Sequence, residues 1–178
     1  MSSAPALFLL LAAPAAPQPT MVDAARQALM EGCVPHTIAR RTIEKKNAAP
    51  LVAAGIKVGA PIPDWARTGL EEWGASVPAE VASAEGPVWI SAFKAGICSV
   101  MFTSGERHSA NAEALRRMIE APGSGFSKVE DKTYGDTVTR FYDSPLKPRG
   151  TLRLTFSATN EAAPKGGEMI IASTSRID

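Results

Sequence analysis

The stretch VWISAFKAGICSVMF, residues 88–102, consists of two strand-like runs separated by KAG at residues 94–96. Apolar, β-branched and aromatic residues on both sides of a short break with glycine are typical of a β-hairpin. Side chains alternate along a strand, so Cys98 shares one face with Val100 and Phe102. The pattern predicts a hairpin whose buried face carries a cysteine.

The C-terminal part of the sequence also predicts extended structure. Four further segments have this character: residues 126–132, 137–142, 151–158 and 169–176. The clearest is 151–158, in which Leu152, Leu154 and Phe156 alternate with polar residues. The polar residues of this segment are Thr151, Arg153, Thr155 and Ser157. One face should be buried, and the other is the face that we expect to meet a partner.

Three segments predict helices. Residues 22–31 have apolar side chains at helical spacing, with Gly32 as a stop and Pro35 preventing continuation, which places Cys33 just beyond the helix. Residues 61–74 predict a short helix whose two tryptophans cover a sheet. A third helix should begin at Ser109 or Asn111 and run to about residue 121.

Together these elements predict an α+β fold. We expect an antiparallel sheet of about five or six strands with helices packed on one face. A length of 178 residues suits a single domain, residues 21–178, and the sequence shows no internal repeat.

The first sixteen residues predict a signal peptide. The run ALFLLLAA, residues 6–13, is too short to cross a membrane and is followed by small residues, so cleavage is expected near Ala16. No Lys or Arg precedes the run, and in the alternative interpretation translation begins at Met21. Export predicts a periplasmic or secreted protein with no transmembrane segment in the mature chain.

The predicted export bears on the redox state of the two cysteines, Cys33 and Cys98. In an oxidising compartment an even number of cysteines indicates a disulfide, which would tie the N-terminal helical segment to the sheet. Closing so long a loop stabilises a fold by about 4 kcal/mol in the chain-entropy model.

Charge and motifs restrict the partners. With 19 Lys and Arg against 18 Asp and Glu, the net charge of +1 gives no field that would attract nucleic acid. No glycine-rich phosphate-binding motif is present, and no cofactor is expected. The partner that we expect is an envelope or secreted protein.

Two catalytic alternatives remain open. Cys33, His36, Cys98 and His108 are donor types that zinc uses, although their spacing lacks a tight ligand pair. Ser91 and Lys94 match the Ser-x-x-Lys pair of serine acyl-enzymes, which requires a helix start where this sequence predicts a strand. A Cys33–Cys98 disulfide is a simpler interpretation than a zinc site, and a strand is a simpler interpretation of residues 91–94 than a catalytic pair.

The order of an apolar leader, a short helix ending in Cys33, a Gly-Ile-Cys98 strand and a following helix resembles small exported bacterial envelope proteins of uncharacterised function. The resemblance covers residues 20–120 and implies an envelope location with a helix-to-strand disulfide. It supplies no catalytic residue.

Two hypotheses follow. The first is a non-enzymatic binding, inhibitory or accessory module of the cell envelope, and the second is a hydrolase or zinc-dependent enzyme that uses the Cys/His set or the Ser91 and Lys94 pair. We favour the first because no complete active-site signature is present.

Overall fold

The computed structural model describes residues 17–62, 77–93, 96–103, 105–159 and 170–177. The predicted signal peptide, residues 1–16, lies outside the described residues. Most of the predicted helix at 61–74 lies outside them too, as does Lys94.

The N-terminal helical segment, residues 21–38, has three parts. It begins with α1, Met21–Gln27, continues through a π-helical turn, Ala28–Cys33, and ends with α2, Val34–Ile38. Thr20 caps the first turn because its Oγ1 accepts a hydrogen bond from the backbone N–H of Asp23 at 3.2 Å.

The prediction that Gly32 and Pro35 end this helix is wrong. The N–H of Val34 donates to the carbonyl of Leu29, five residues earlier, so the turn is wider than an α-turn. A new α-helical turn then begins at Val34. Pro35 is its second residue, and in the first turn of a helix a missing N–H is tolerated. Cys33 therefore lies inside the helical segment and not beyond it.

The remaining helices are short, apart from one. The structure has a 3₁₀ turn at Lys45–Asn47, α3 at Ala49–Ala53, a second 3₁₀ turn at Gly105–Arg107 and α4 at His108–Glu120. The predicted third helix is thus confirmed as α4, but it starts at His108 and has no side-chain cap. Its inward residues include Ala112, Leu115 and Ile119, all buried.

In the described part of the chain, one antiparallel sheet of eight strands forms the body of the protein. The strands are β1 Lys57–Val58, β2 Ala79–Ser83, β3 Gly86–Ala92, β4 Ile97–Phe102, β5 Ser127–Tyr134, β6 Thr137–Pro145, β7 Thr151–Thr159 and β8 Ile170–Ile177. The hairpin and the four C-terminal strands are confirmed, and the predicted count of five or six is corrected to eight. β1 is only two residues long. Burial alternates along β2, but three of its five residues are Ala or Ser, so the hydropathy of its sequence gives little indication of a strand.

The strand order is β1-β2-β3-β4-β8-β7-β6-β5. Each half is therefore a meander of four consecutive strands, and the two meanders meet where β4 pairs with β8, Val100 opposite Ala172. This symmetry of topology has no counterpart in the sequence, which shows no repeat.

The first face of the sheet is apolar and contacts both long helical elements. Its central residues, Ile90, Cys98 and Val100, are fully buried. The predicted disulfide is confirmed: Cys33 in the π-helical turn is bonded to Cys98 in β4, with 5.2 Å between their Cα atoms. From α4, the carboxylate of Glu120 accepts a hydrogen bond from Tyr142, which lies on this face in β6.

A substitution of Gly32 by alanine tests how closely the helical segment approaches the sheet. A Cβ atom at Gly32 would lie 2.7 Å from Cδ1 of Ile90. We expect Gly32→Ala to lower the free energy of unfolding by about 1 kcal/mol, because the terminal methyl group of the buried Ile90 must shift to make room. The measurement is urea denaturation under oxidising conditions.

The matched control is the same change in an Ile90→Val background, which lacks the clashing methyl group. There the loss should shrink or reverse, because alanine is favoured over glycine in a helix by about 1 kcal/mol. An equal loss in both backgrounds would contradict the close packing of Gly32 on Ile90.

Candidate functional site

The second face of the sheet is divided into two parts. At β3 and β4 it is apolar, with Trp89, Phe93 and Met101 each less than 10% exposed. From Ser99 in β4 through β8 to β5 it is mostly polar, and most of its side chains are only partly buried. The polar part is the open surface.

We call this polar part the hydroxyl face. The strand register places on it polar or charged residues and one phenylalanine of five strands: Ser99, Glu130, Lys132, Thr137, Thr139, Phe141, Asp143, Thr151, Arg153, Thr155, Ser157, Ser173 and Ser175. The same register places three apolar or aromatic side chains at its edges, Tyr134, Ile171 and Ile177. The predicted partner face, residues 151–157 of β7, lies along its centre. All four predicted side chains are partly exposed.

Hydroxyl groups on this face pair across the strands. The Oγ atoms of Ser99 and Ser173 are 2.7 Å apart, and Oγ1 of Thr139 lies 3.0 Å from Oγ of Ser157. A hydroxyl has one donor and two acceptor positions, so a pair that shares one hydrogen bond retains a second donor and several acceptor positions. Each pair can therefore still bind an external polar group.

The charged groups of the hydroxyl face balance one another. Arg153 donates two hydrogen bonds to the carboxylate of Asp143, each 2.8 Å long. This bidentate pair holds the pKa of Asp143 below its ordinary value. Lys132 lies 3.1 Å from the carboxylate of Glu130 and 5.2 Å from the ring centre of Phe141. With two cations and two anions, the face carries no net charge.

Sequence reasoning identified one strand of this face and missed its neighbours. Ser173 and Ser175 alternate in β8, and Thr137 and Thr139 alternate in β6. That alternation is the signal that could have identified them. Which strands lie side by side follows only from the pairing of β7 with both β6 and β8.

The structure does not assemble the Cys/His set into a metal site. Cys33 and Cys98 are joined to each other, so neither is a free thiolate ligand. His108 is almost fully buried at the start of α4. Among the residues that the structure describes, no three His, Cys, Asp or Glu side chains are grouped to hold a metal ion.

His36 lies on the rim of a small cavity. Its Nδ1 is 2.7 Å from the carbonyl oxygen of Gly32, and because a carbonyl only accepts, Nδ1 carries the proton. The cavity, about 250 Å³, is lined mainly by apolar atoms and includes Pro50 and Leu51. No serine, threonine or cysteine lines the cavity, and Glu31 is its one carboxylate among the described lining residues.

Ser91 is fully buried in β3, on the second face of the sheet opposite Ser99. Its Oγ has no hydrogen-bond partner among the described residues. A buried strand position gives a substrate no approach, and it is not the helix start that a Ser-x-x-Lys nucleophile needs.

A network of ion pairs runs along one side of α4. Arg116 donates two hydrogen bonds to Glu113 and also contacts Glu120, while Arg117 donates to Glu113 at 2.8 Å. The hydrogen bonds from the two arginines lower the pKa of Glu113 to about 2. Burial and the hydrogen bond to Glu120 raise the pKa of Tyr142.

No protein-family model, curated protein or solved structure matches this chain. Among the described residues, no helix is long and apolar enough to span a membrane.

Loss of the guanidinium in Arg153→Gln should raise the pKa of Asp143 toward its ordinary value. A carboxyl group with a depressed pKa stabilises the fold above its unfolded pKa of about 3.9 and loses that contribution as the pH falls through the folded pKa. The variant should therefore be less stable than the wild type at pH 7, by less than about 1 kcal/mol for so exposed a pair. The difference should shrink as the pH falls through the lowered folded pKa of Asp143.

The measurement is a carboxyl ¹³C titration of Asp143, combined with denaturation at pH 7 and over a series of acid pH values. Arg149→Gln is the control, since Arg149 is exposed and forms no ion pair within the described part of the chain. A pKa of Asp143 that is identical in the wild type and Arg153→Gln would show that the pair does not exist in solution.

Proposed function

We propose that this protein is a non-catalytic binding module of the cell envelope, which docks a partner protein through the hydroxyl face. The observation that supports this proposal is the character of that face: it is continuous over several strands, neutral, hydroxyl-rich and open. The core needs none of these side chains, because the apolar first face already buries residues from both long helical elements.

The size of the face is adequate for a protein partner. The strands β5, β6, β7 and β8, which form most of it, have eight or nine residues each. At about 4.8 Å between strands and about 3.4 Å per residue, they form a surface of about 600 Å². That area approaches the roughly 800 Å² that each partner contributes to a typical stable complex.

The chemistry of the face indicates the kind of partner. Hydroxyl groups both donate and accept hydrogen bonds, so they complement side-chain and backbone amides, which do the same. Internally balanced charges such as the Arg153 and Asp143 pair give no long-range attraction, and binding should depend little on salt. We therefore propose a protein partner with a neutral, amide-rich contact surface, such as an enzyme that this module inhibits or a complex in which it is an accessory subunit.

An exported location is part of the same proposal. The Cys33–Cys98 disulfide is of the kind that persists in oxidising compartments. It supports the signal peptide proposed at residues 1–16, a periplasmic or secreted location, and kinship with small exported envelope proteins.

Site-specific photocrosslinking tests the docking face. A photoreactive phenylalanine analogue at position 155, in the centre of the face, should give a stoichiometric protein adduct in the envelope of the native host. The same analogue at position 133 is the control, because Thr133 is exposed on β5 and its register partner Val138 belongs to the first face. We expect no adduct from position 133.

Competition then distinguishes specific docking from a chance neighbour. Excess unlabelled wild-type protein should abolish the adduct, whereas excess Thr155→Arg should not, because a bulky unpaired charge prevents close contact. The proposal fails if position 155 gives no adduct, if both positions give the same adduct, or if Thr155→Arg competes as well as the wild type.

A further inference from the structure

A cleft lies on the opposite side of the sheet from the hydroxyl face, between α4 and strands β6 and β7. Its volume is about 190 Å³, and its walls include Ser109, Glu113 and Arg116 of the helix. The sheet contributes Arg140 and Phe156, which are direct register partners on β6 and β7. The volume corresponds to about six water molecules at about 30 Å³ each. It suits a small molecule and not a macromolecule.

The helix side of the cleft is electrically balanced. Glu113 accepts hydrogen bonds from Arg116 and Arg117, and Arg116 also contacts Glu120. These two acids and two bases cancel one another. Since three of its five N–H groups are engaged, Arg116 is held in place by its carboxylate partners and retains two donors.

Arg140 supplies the excess charge. Within the described ranges, no carboxylate lies at ion-pair distance from its guanidinium, and Asp131, its register partner on β5, is paired with Lys128 at 2.7 Å. All five N–H donors of Arg140 are therefore open to a ligand. Its side chain is only partly exposed and lines the cleft together with the buried ring of Phe156.

We propose that this cleft binds a small oxyanion, the carboxylate or phosphate group of a small molecule, with Arg140 as the principal ligand. A guanidinium presents a planar fork of donors that matches two oxygens of either group. Arg116, fixed by its carboxylate partners, provides a second cationic wall. The site is independent of the proposed partner face, since the neighbours of Arg140 along β6, Thr139 and Phe141, point to the other side of the sheet.

Titration with two probes, inorganic phosphate and acetate, tests this site at constant ionic strength maintained with chloride. The readout is the side-chain NMR signal of the arginines, together with the shift of backbone signals lining the cleft. We expect at least one probe to bind saturably and to shift residues 109–116 and 140. Saturation by phosphate alone would assign the group as phosphate, and saturation by acetate alone as carboxylate.

Three variants determine whether Arg140 carries the binding. Arg140→Gln should weaken binding at least tenfold, and Arg140→Lys, which keeps the charge without the fork, should give an intermediate loss. Glu113→Gln should tighten binding, because it removes an anion from the cleft and frees donors of Arg116. Arg149→Gln, which removes an equal charge from an exposed loop, should leave the affinity within twofold of the wild type.

Several results would overturn the site. These are the absence of saturable binding of either probe, unchanged affinity in Arg140→Gln, or an equal loss in Arg149→Gln. Should Arg140→Gln fail to fold, unchanged affinity in the conservative Arg140→Lys variant, together with no gain in Glu113→Gln, would overturn it as well.

Discussion

The bond between Cys33 and Cys98 is the constraint on which the rest of the fold depends. Cys98 lies in β4, the strand through which the two meanders are joined. The bond therefore fixes the helical segment over the middle of the sheet, where Gly32 allows close contact with Ile90. The sequence separation of 65 residues corresponds to about 4 kcal/mol of stabilisation in the chain-entropy model. That is a large fraction of the 5–15 kcal/mol typical of a domain.

This attachment gives the two faces of the sheet different roles. Burial of the first face against the helical elements supplies the hydrophobic stabilisation, and the hydrogen bond from Tyr142 to the carboxylate of Glu120 adds a partly buried polar link. The polar part of the second face is left for other contacts. Its cross-strand hydroxyl pairs and the Arg153–Asp143 pair link neighbouring strands across the face. An open and neutral surface is what the proposed docking role requires.

The local sequence pattern was sufficient to predict most of the strands, and the cysteine count together with the predicted export was sufficient to predict the disulfide. The alternation in 151–158 predicts both β7 and its polar side because that strand has one wet face and one buried face. β2 was missed because Ala79 and Ser83 are buried without being strongly apolar. The π-helical turn was missed because glycine and proline ordinarily end helices, and a widened turn that accommodates them has no distinct sequence signature.

The candidate sites were harder to predict than the fold. Thr155 and Arg153 were predicted from one strand, but their hydroxyl neighbours depend on long-range pairing that sequence spacing does not reveal. The sequence did not indicate Arg140 as a binding residue, since an arginine in an alternating strand is ordinarily a solvated surface residue. Its proposed role in binding an anion follows only from the tertiary structure. There α4 lies across the cleft from Arg140, and the charged side chains of α4 pair with one another.

The most direct test of the central claim is the intact mass of the protein from its native host, measured with and without reduction followed by thiol alkylation. The account predicts a mature chain two hydrogens lighter than the dithiol form, in which both cysteines become alkylated only after reduction. A chain whose two cysteines are alkylated without prior reduction would contradict it. The helical segment would then have no covalent attachment to the sheet, and the disulfide would no longer support export.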